Sequence, residues 1–227
     1  GKLPVYKVSF SDQTYTYCSL DHLWSVRSYI DRSKHQSPQV LSTQTILQNI
    51  RANIKDRRLN YSIDYCQPIC FERKQLPIHP YLLGALLGAL LGDGSLTSNG
   101  IRFTSNDKQI IQMVRRYLSI LGAELVYINR YDYRIRKKTS YSGQSISKLL
   151  KSLNLLDTIS NTKFIPPHYL MSSIEDRVAL LQGLMDTDGT VESKGKGCRA
   201  SFSSCSENLI KNVADVVRSL GGMATLD

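Results

Sequence analysis

The 227-residue chain reads as an α+β protein in which one αββαββα unit occurs twice, the second time incompletely, after a separate β-rich opening. Three observations predict this. Apolar and polar residues alternate near the start, a long stretch beginning at Tyr81 is echoed later in the chain, and each copy opens with an apolar helix closed by Asp-Gly. The expected segments are residues 1–78 (β-rich part and linker), 79–172 (first repeat) and 173–227 (second, shorter repeat).

In the opening segment, Tyr6, Val8 and Phe10 alternate with polar residues. Ser11-Asp12-Gln13 makes a turn, and Tyr15 and Tyr17 resume the alternation, which predicts a hairpin. A polar connection runs through Ser37-Pro38. A helix is expected next, capped by Ser42 or Thr43, with Ile46, Leu47, Ile50 and Ile54 on one face. Asn60 to Tyr65 reads as extended, and Pro77 and Pro80 then punctuate the chain.

The repeat is read from register. Phe103-Thr-Ser-Asn-Asp107 is echoed by Phe202-Ser-Ser-Cys-Ser206, an offset of 202 − 103 = 99. With that offset Ile110, Ile111, Val114, Leu118, Leu121 and Gly122 fall on Leu209, Ile210, Val213, Val217, Leu220 and Gly221. The spacing is helical, with a glycine where a helix C-terminus wants one. Upstream, LLGALLGDG (86–94) matches LQGLMDTDG (181–189), each followed by β-like sequence; Asn99-Gly100 is a hairpin turn. The first copy continues with a hairpin from Ala123 to Lys138 and a helix from Ser145 to Leu156.

Gly84, Gly88 and Gly92 recur every four residues and so form one stripe. Each costs about 1 kcal/mol of helix propensity relative to Ala, which points to another backbone pressed against the stripe. The second apolar helix, carrying Gly183, is the expected partner. Side-by-side packing of the two would bring Asp93 near Asp188. Two carboxylates at helix C-termini attract hard divalent cations, and Mg²⁺ there can polarise a phosphodiester and lower the pKa of a water.

Both nonapeptides resemble the LAGLIDADG motif, in the dodecapeptide form of intein endonucleases. The resemblance implies a homing endonuclease: αββαββα repeats in pseudo-two-fold symmetry within a monomer, motif helices at the centre, and saddle-shaped sheets on double-stranded DNA. By position in the motif, Asp93 and Asp188 match the metal-binding, catalytic carboxylates, with Mg²⁺ as cofactor and Mn²⁺ as a substitute. Asn161-Thr-Lys-Phe-Ile-Pro166 resembles the family's Lys-x-Ile-Pro block and makes Lys163 the lysine that stabilises charge at the phosphate. Cys18-Ser-Leu-Asp-His22, followed by Leu23-Trp24, resembles the Thr-x-x-His block of the Hint splicing domain. Ser19 stands in the threonine place, and the resemblance implies that His22 is the residue that activates the first splice junction. A host protein flanking the chain as extein is therefore an implied partner.

Charge agrees with a polyanionic partner: 29 Lys and Arg against 19 Asp and Glu give a net +10. Around the second hairpin Arg130, Arg134, Arg136 and Lys138 alternate with Tyr131, Tyr133 and Ile135. The apolar set is expected on the helices and the basic set on phosphates and base edges. Arg102, Lys194, Lys196 and Arg199 are further DNA-facing candidates from the first hairpins. Five cysteines at 18, 66, 70, 198 and 205 lack zinc-site spacing and read as reduced thiols of a cytoplasmic protein. The apolar run from Tyr81 to Gly92 is shorter than the ~18 residues a membrane span needs, so it is read as a buried helix.

The pattern departs from the family in three places. The chain starts at Gly1 and ends at Asp227, without the terminal residues of a splicing intein, so it is expected not to splice. The second copy stops where Thr225 to Asp227 align with Val126 to Ile128. LLGA occurs twice before LLGD, an extra tetrad worth ~6 Å of helix. Rival expectations are a LAGLIDADG protein that binds nucleic acid without cutting it, such as a maturase or regulator, and an inactive intein remnant. The presence of both aspartates weighs toward the nuclease.

Overall fold

The computed structural model describes residues 4–53, 56–89, 96–97, 100–194 and 197–226. The chain divides into two compact units, one reaching to Gln67 and taking in Met223–Thr225, the other spanning Pro68–Gly222. The change of unit thus falls ahead of Pro77 and Pro80.

The first unit is built from short antiparallel pairs. β1 (Tyr6–Ser9) pairs with β2 (Tyr15–Cys18), Tyr6 opposite Cys18. The turn between them forms because the Asp12 carboxylate accepts from the backbone amide and hydroxyl of Thr14 while Gln13 takes a left-handed φ of 69°. β3 (Leu23–Val26), α1 (Tyr29–Ser33) and β4 (Gln39–Ser42) follow, with β3 paired to β4. The stretch expected as a polar connection therefore contains a helix, started by a Ser28–Asp31 capping box. α2 (Thr43–Gln48) begins at N-cap Ser42 as expected but stops at Asn49, before Ile50. Leu47 and Ile50 are exposed, so no apolar surface covers the face that would have extended the helix. Ile54 lies outside the described residues. β5 (Arg51–Asn53) and β6 (Asp56–Leu59) complete the unit, and beyond them Arg27 and Ser62 exchange backbone hydrogen bonds of 2.9 and 3.0 Å.

The second unit opens with α3 (Pro80–Ala89), buried at every residue from Pro80 to Gly88. An all-round apolar helix of this kind belongs inside a core. β7 (Leu96–Thr97), β8 (Gly100–Thr104), α4 (Lys108–Ile120), β9 (Ala123–Asn129) and β10 (Asp132–Lys137) follow, and the strands form one antiparallel sheet in the order β7-β8-β10-β9. Strand alternation puts Ile101, Phe103, Ala123, Leu125 and Ile135 on the buried face, in one cluster with Leu82, Leu83, Leu86 and Leu87 of α3 and with Ile111, Val114 and Leu118 of α4. α5 (Ile146–Ser152) starts at N-cap Ser145 and ends short of Leu156, where Asn154 adopts a φ of 57°. α6 (Pro167–Leu170) leads into α7 (Ile174–Asp188), then β11 (Gly189–Lys194), β12 (Gly197–Phe202) and α8 (Glu207–Ser219).

The repeat is visible in the second unit. α8 begins and ends 99 residues after α4 (207 − 108 and 219 − 120), and N-cap Ser206 follows N-cap Asp107 by the same step. Gly122 and Gly221 close the two helices with left-handed φ values of 61° and 83°, the conformation that glycine adopts without strain. No described helix is long and apolar enough to cross a membrane.

Candidate functional site

α3 and α7 run side by side in the same direction. A Cβ on Gly84 would collide with the carbonyl oxygen of Leu180 and come within 2.9 Å of Leu184 N. A Cβ on Gly183 would collide with the carbonyl of Tyr81 and reach 2.7 Å from Ala85 N. The two backbones touch at these glycines, which accounts for helix-weakening residues in a buried helix. Gly88 stands one turn further on, where an added Cβ would collide with the Thr187 hydroxyl and come within 3.1 Å of Leu184 O. The Tyr81 hydroxyl donates across the pair to Asp186 Oδ2 at 2.8 Å. Gly92 and Asp93 lie outside the described residues.

Asp188 ends α7, and Gly189 turns the chain into β11. Its carboxylate is partly buried, and among the described residues Oδ2 has no hydrogen-bond partner. An orphaned buried carboxylate oxygen is costly unless something meets it. Burial pushes the Asp188 carboxyl up to about 6, while the nearby Lys163 ammonium pulls the other way.

Lys163 is 2 % exposed, so it is not a solvated surface lysine. Burial pushes its ammonium down to about 8 against the pull of Asp188 and Cys205. Its Nζ makes a long hydrogen bond of 3.5 Å to the Leu87 carbonyl in the last described turn of α3. The backbone around it is anchored to α8: the Ser206 hydroxyl donates to Lys163 O at 2.5 Å while accepting from Leu209 N, and Ile165 N donates to Asn212 Oδ1 at 2.9 Å. Lys163 and Asp188 thus arrive from different elements at one place beside the end of α3.

The predicted basic residues separate into groups. Arg102 on β8 and Arg134 on β10 stand directly opposite each other in register, on the sheet face away from the core. Arg136 lies opposite Glu124 on the same face. Like charges directly opposite destabilise a strand pair, so this face suits an anion laid across it. Arg134 Nε is buried without a hydrogen-bond partner among the described residues. Arg130 is not a strand residue: with Tyr131 it forms the β9–β10 turn at a φ of 43°, which leaves Tyr131 exposed rather than on the core side. The inward alternation starts only at Tyr133, because the chain reverses at the two residues before β10. Lys138 lies just past β10, its amide donating to Gly122 O at 2.8 Å. Arg199 sits on β12 opposite Glu192 of β11, and Lys194 pairs with Gly197 at the hairpin end. Lys196 lies outside the described residues.

Ser19 and His22 lie in the first unit, in the turn between β2 and β3, where His22 N donates to Ser19 O at 3.3 Å. Thr43 organises this turn. Its amide donates to His22 O at 2.9 Å, and its hydroxyl accepts from Trp24 Nε1 at 2.9 Å and lies 3.5 Å from Cys18 Sγ. The exposed His22 ring packs edge-on against Trp24, with centroids 4.6 Å apart.

Several residues in the second unit matter to this geometry although no local pattern marked them. Arg177 of α7 is fully buried. Its guanidinium donates to Ser172 O at 3.0 Å, to the carbonyl and hydroxyl of Ser219, and to Ile69 O, and it lies 5.0 Å from the Phe71 ring. Among the described residues no three His, Cys, Asp or Glu side chains gather as a metal cluster. All five cysteines are free thiols, with Cys18 buried.

Two sheet-bearing repeats that meet through a glycine-packed pair of parallel helices define a LAGLIDADG-type fold. Residues 80–164 and 175–227 match the LAGLIDADG-like domain, more than half of the chain, and the chain belongs to that family. It is also similar, at 29 % identity over 96 % of this chain, to the replicative DNA helicase DnaB of Mycobacterium intracellulare. A second relative, the replicative DNA helicase DnaB of Synechocystis sp., is 28 % identical over 62 % of the chain. The chain spans 34 % of the first relative's length and 18 % of the second's.

Proposed function

We propose that this chain is the endonuclease-bearing part of an intein, making a double-strand break at a specific DNA site by metal-dependent phosphodiester hydrolysis. The observation that carries the reading is the half-buried Asp188 carboxylate, with one oxygen unpartnered among the described residues, beside the buried Lys163. A hard divalent cation fits that oxygen, because carboxylate and water oxygens are the ligands Mg²⁺ prefers and an unmet buried acceptor is what such an ion relieves. When bound, the ion would polarise the scissile phosphate and acidify a water.

The chain's own residues supply the rest. Asp188, ionised, would hold such an ion, and Asp93, by its place in the motif, would be the second carboxylate ligand. Lys163, protonated, faces the charge that builds on the phosphate, where low dielectric strengthens it. Ser206 and Asn212 position the lysine through its backbone. Arg102, Arg134 and Arg136 lay their sheet face on the duplex. In each cut a water oxygen bonds to phosphorus, the bond from phosphorus to the leaving sugar oxygen breaks, and that oxygen takes up a proton.

The intein context has separate support. Similarity to a helicase extends over nearly all of this chain but only about a third of the helicase, the relation expected of an insert carried within a larger protein. Ser19 and His22 then belong to the splicing module, and the extein is a replicative helicase. The test is incubation of the full precursor-encoded protein with Mg²⁺ and a plasmid bearing the uninterrupted helicase coding sequence. Linear product with one defined end is expected; an intact plasmid at every divalent concentration overturns the nuclease reading.

A further inference from the structure

In the splicing reading His22 carries the catalytic role of the first unit, yet its side chain is exposed in the turn between β2 and β3. An exposed imidazole visits several rotamers unless its neighbours restrict it. What restricts this one comes from the start of α2, 21 residues further along the chain.

Thr43 is the first residue of α2 but does not cap it. Ser42 does, accepting from Thr45 N at 3.2 Å and meeting the Thr45 hydroxyl at 2.9 Å. The Thr43 hydroxyl is therefore available to partners outside its own helix, and Thr43 is only 7 % exposed. A hydroxyl offers one proton and two lone pairs. The proton goes to His22 O at 3.2 Å. The lone pairs face Trp24 Nε1 at 2.9 Å and Cys18 Sγ at 3.5 Å, which leaves the thiol as donor in the last contact. All three partners belong to the block from Cys18 to Trp24. The backbone follows the same course: Thr43 N donates to His22 O at 2.9 Å, and Gln44 N donates to Leu20 O at 3.1 Å.

The His22 carbonyl is thus held by two donors of a single residue. The indole that the imidazole meets edge-on, with centroids 4.6 Å apart and planes at 70°, is held by the same hydroxyl. Both the backbone from which the imidazole springs and the ring it rests against depend on Thr43. A valine would fill the same space and keep the amide bond, but it would leave the indole N–H and the thiol without their acceptor.

We infer that Thr43 is a positioning residue for His22, its hydroxyl fixing how the imidazole is presented for the first step of splicing. This rests on the splicing reading of His22. An oriented reaction loses about a hundredfold for a misplacement of about 1 Å, so a hydroxyl that never touches the reacting atoms can still govern the rate.

The rate is read on the full precursor, pulse-labelled and followed on gels as it splices. Thr43→Val should slow splicing at least about thirtyfold, and Thr43→Ser, which keeps the hydroxyl, should stay within about threefold of the unaltered precursor. Ser42→Ala separates position from stability. It removes the α2 cap and should lower the Tm of the first unit by about 3–8 °C, as much as Thr43→Val, yet slow splicing less than about threefold. Equal slowing in Ser42→Ala and Thr43→Val overturns the positioning role. Should Thr43→Val fail to fold, Trp24→Phe decides: it keeps a ring beside His22, gives up the bond to Thr43, and should slow splicing at least about threefold.

NMR of the 227-residue chain reads the geometry without any splicing. The Trp24 indole N–H should exchange slowly with solvent, and the His22 and Trp24 side-chain signals should carry each other's ring-current shifts. Thr43→Val should lose both features and Thr43→Ser should keep them; unmoved His22 signals in Thr43→Val overturn the inference. His22→Ala tells its failure from that of the reading beneath it. Splicing that is slowed by His22→Ala but not by Thr43→Val overturns the role of Thr43 alone, whereas splicing indifferent to His22→Ala removes the role of His22 and that of Thr43 with it.

Discussion

Lys163 and Asp188 carry opposite charges beside one another, and burial drives both toward neutrality: the ammonium down to about 8 and the carboxyl up to about 6. Each charge holds the other partly in place. The window in which both are ionised is consequently narrow and centred near neutral pH.

That window predicts a bell-shaped dependence of cleavage rate on pH. Below about 6 Asp188 is protonated and cannot hold a cation; above about 8 Lys163 loses its charge. The rate at a fixed, subsaturating Mg²⁺ concentration, measured from pH 5 to 9.5, should rise on the acid side and fall through the upper value, and raising Mg²⁺ should move the acid limb to lower pH. Lys163→Met should abolish the alkaline limb together with most of the activity. A rate still climbing at pH 9.5 in the unaltered protein would remove Lys163 from the step.

Metal binding should be visible without DNA. A cation that meets the ionised Asp188 carboxylate stabilises the folded chain by mass action, and it competes with the proton. Mg²⁺ or Mn²⁺ at millimolar concentration should raise Tm at pH 7.5, raise it less at pH 5, and not raise it in Asp188→Asn. Asp188→Asn should also lose both nicking and linearisation while DNA affinity changes less than about threefold, because the sheets provide the contacts. Asp93→Asn should likewise lose double-strand cutting while leaving DNA affinity largely intact. Equal metal shifts in Asp188→Asn and the unaltered chain would exclude this carboxylate as a ligand.

Affinity for DNA should fall steeply with salt through counterion release. Arg134→Gln with Arg136→Gln removes two charges from one sheet face and should reduce the slope of log affinity against log salt by about 2. The same change relieves the Arg102–Arg134 opposition across β8 and β10, so Tm should not fall. A slope that does not change would place the duplex elsewhere.

These residues were not equally legible. The Gly84 stripe and its partner Gly183 can be read from sequence because a glycine's cost in a helix is local, and the touching backbones are its cause. Which tetrad makes the crossing cannot be read that way: LLGA is identical in both places, and only the partner helix discriminates. Period-2 alternation accounts for Arg134 and Arg136 on one sheet face, but it also puts Arg130 there, and Arg130 instead sits in the hairpin turn that interrupts the period. α2 was overextended by apolar spacing because Ile50 has the right interval and no surface to bury against. The burial of Lys163 depends on α3, α7 and α8 together, which no window of the chain contains.

Arg177 provides the last prediction, and it concerns how the motif helix is held. It is fully buried in α7, and its donors meet the carbonyls of Ser172, Ser219 and Ile69 and the Ser219 hydroxyl, with the Phe71 ring beside it. A buried cation facing backbone carbonyls replaces lost hydration by several charge-assisted hydrogen bonds at once. Removing it orphans the Ile69 carbonyl at the start of the second unit and the Ser172 carbonyl in the loop before α7, and leaves Ser219 O at the end of α8 with only the Ile69 amide. Arg177→Met keeps much of the volume and should still cost about 3 kcal/mol in urea unfolding. Arg177→Lys should recover less than half of that, because one ammonium cannot span the positions that a planar guanidinium reaches. Both variants should lose hydrogen-exchange protection at Ile69, whose amide donates to Ser219 O at 2.9 Å, before they lose it in α4. Full rescue by lysine would mean that charge alone, and not the fork of donors, holds α7 to its neighbours.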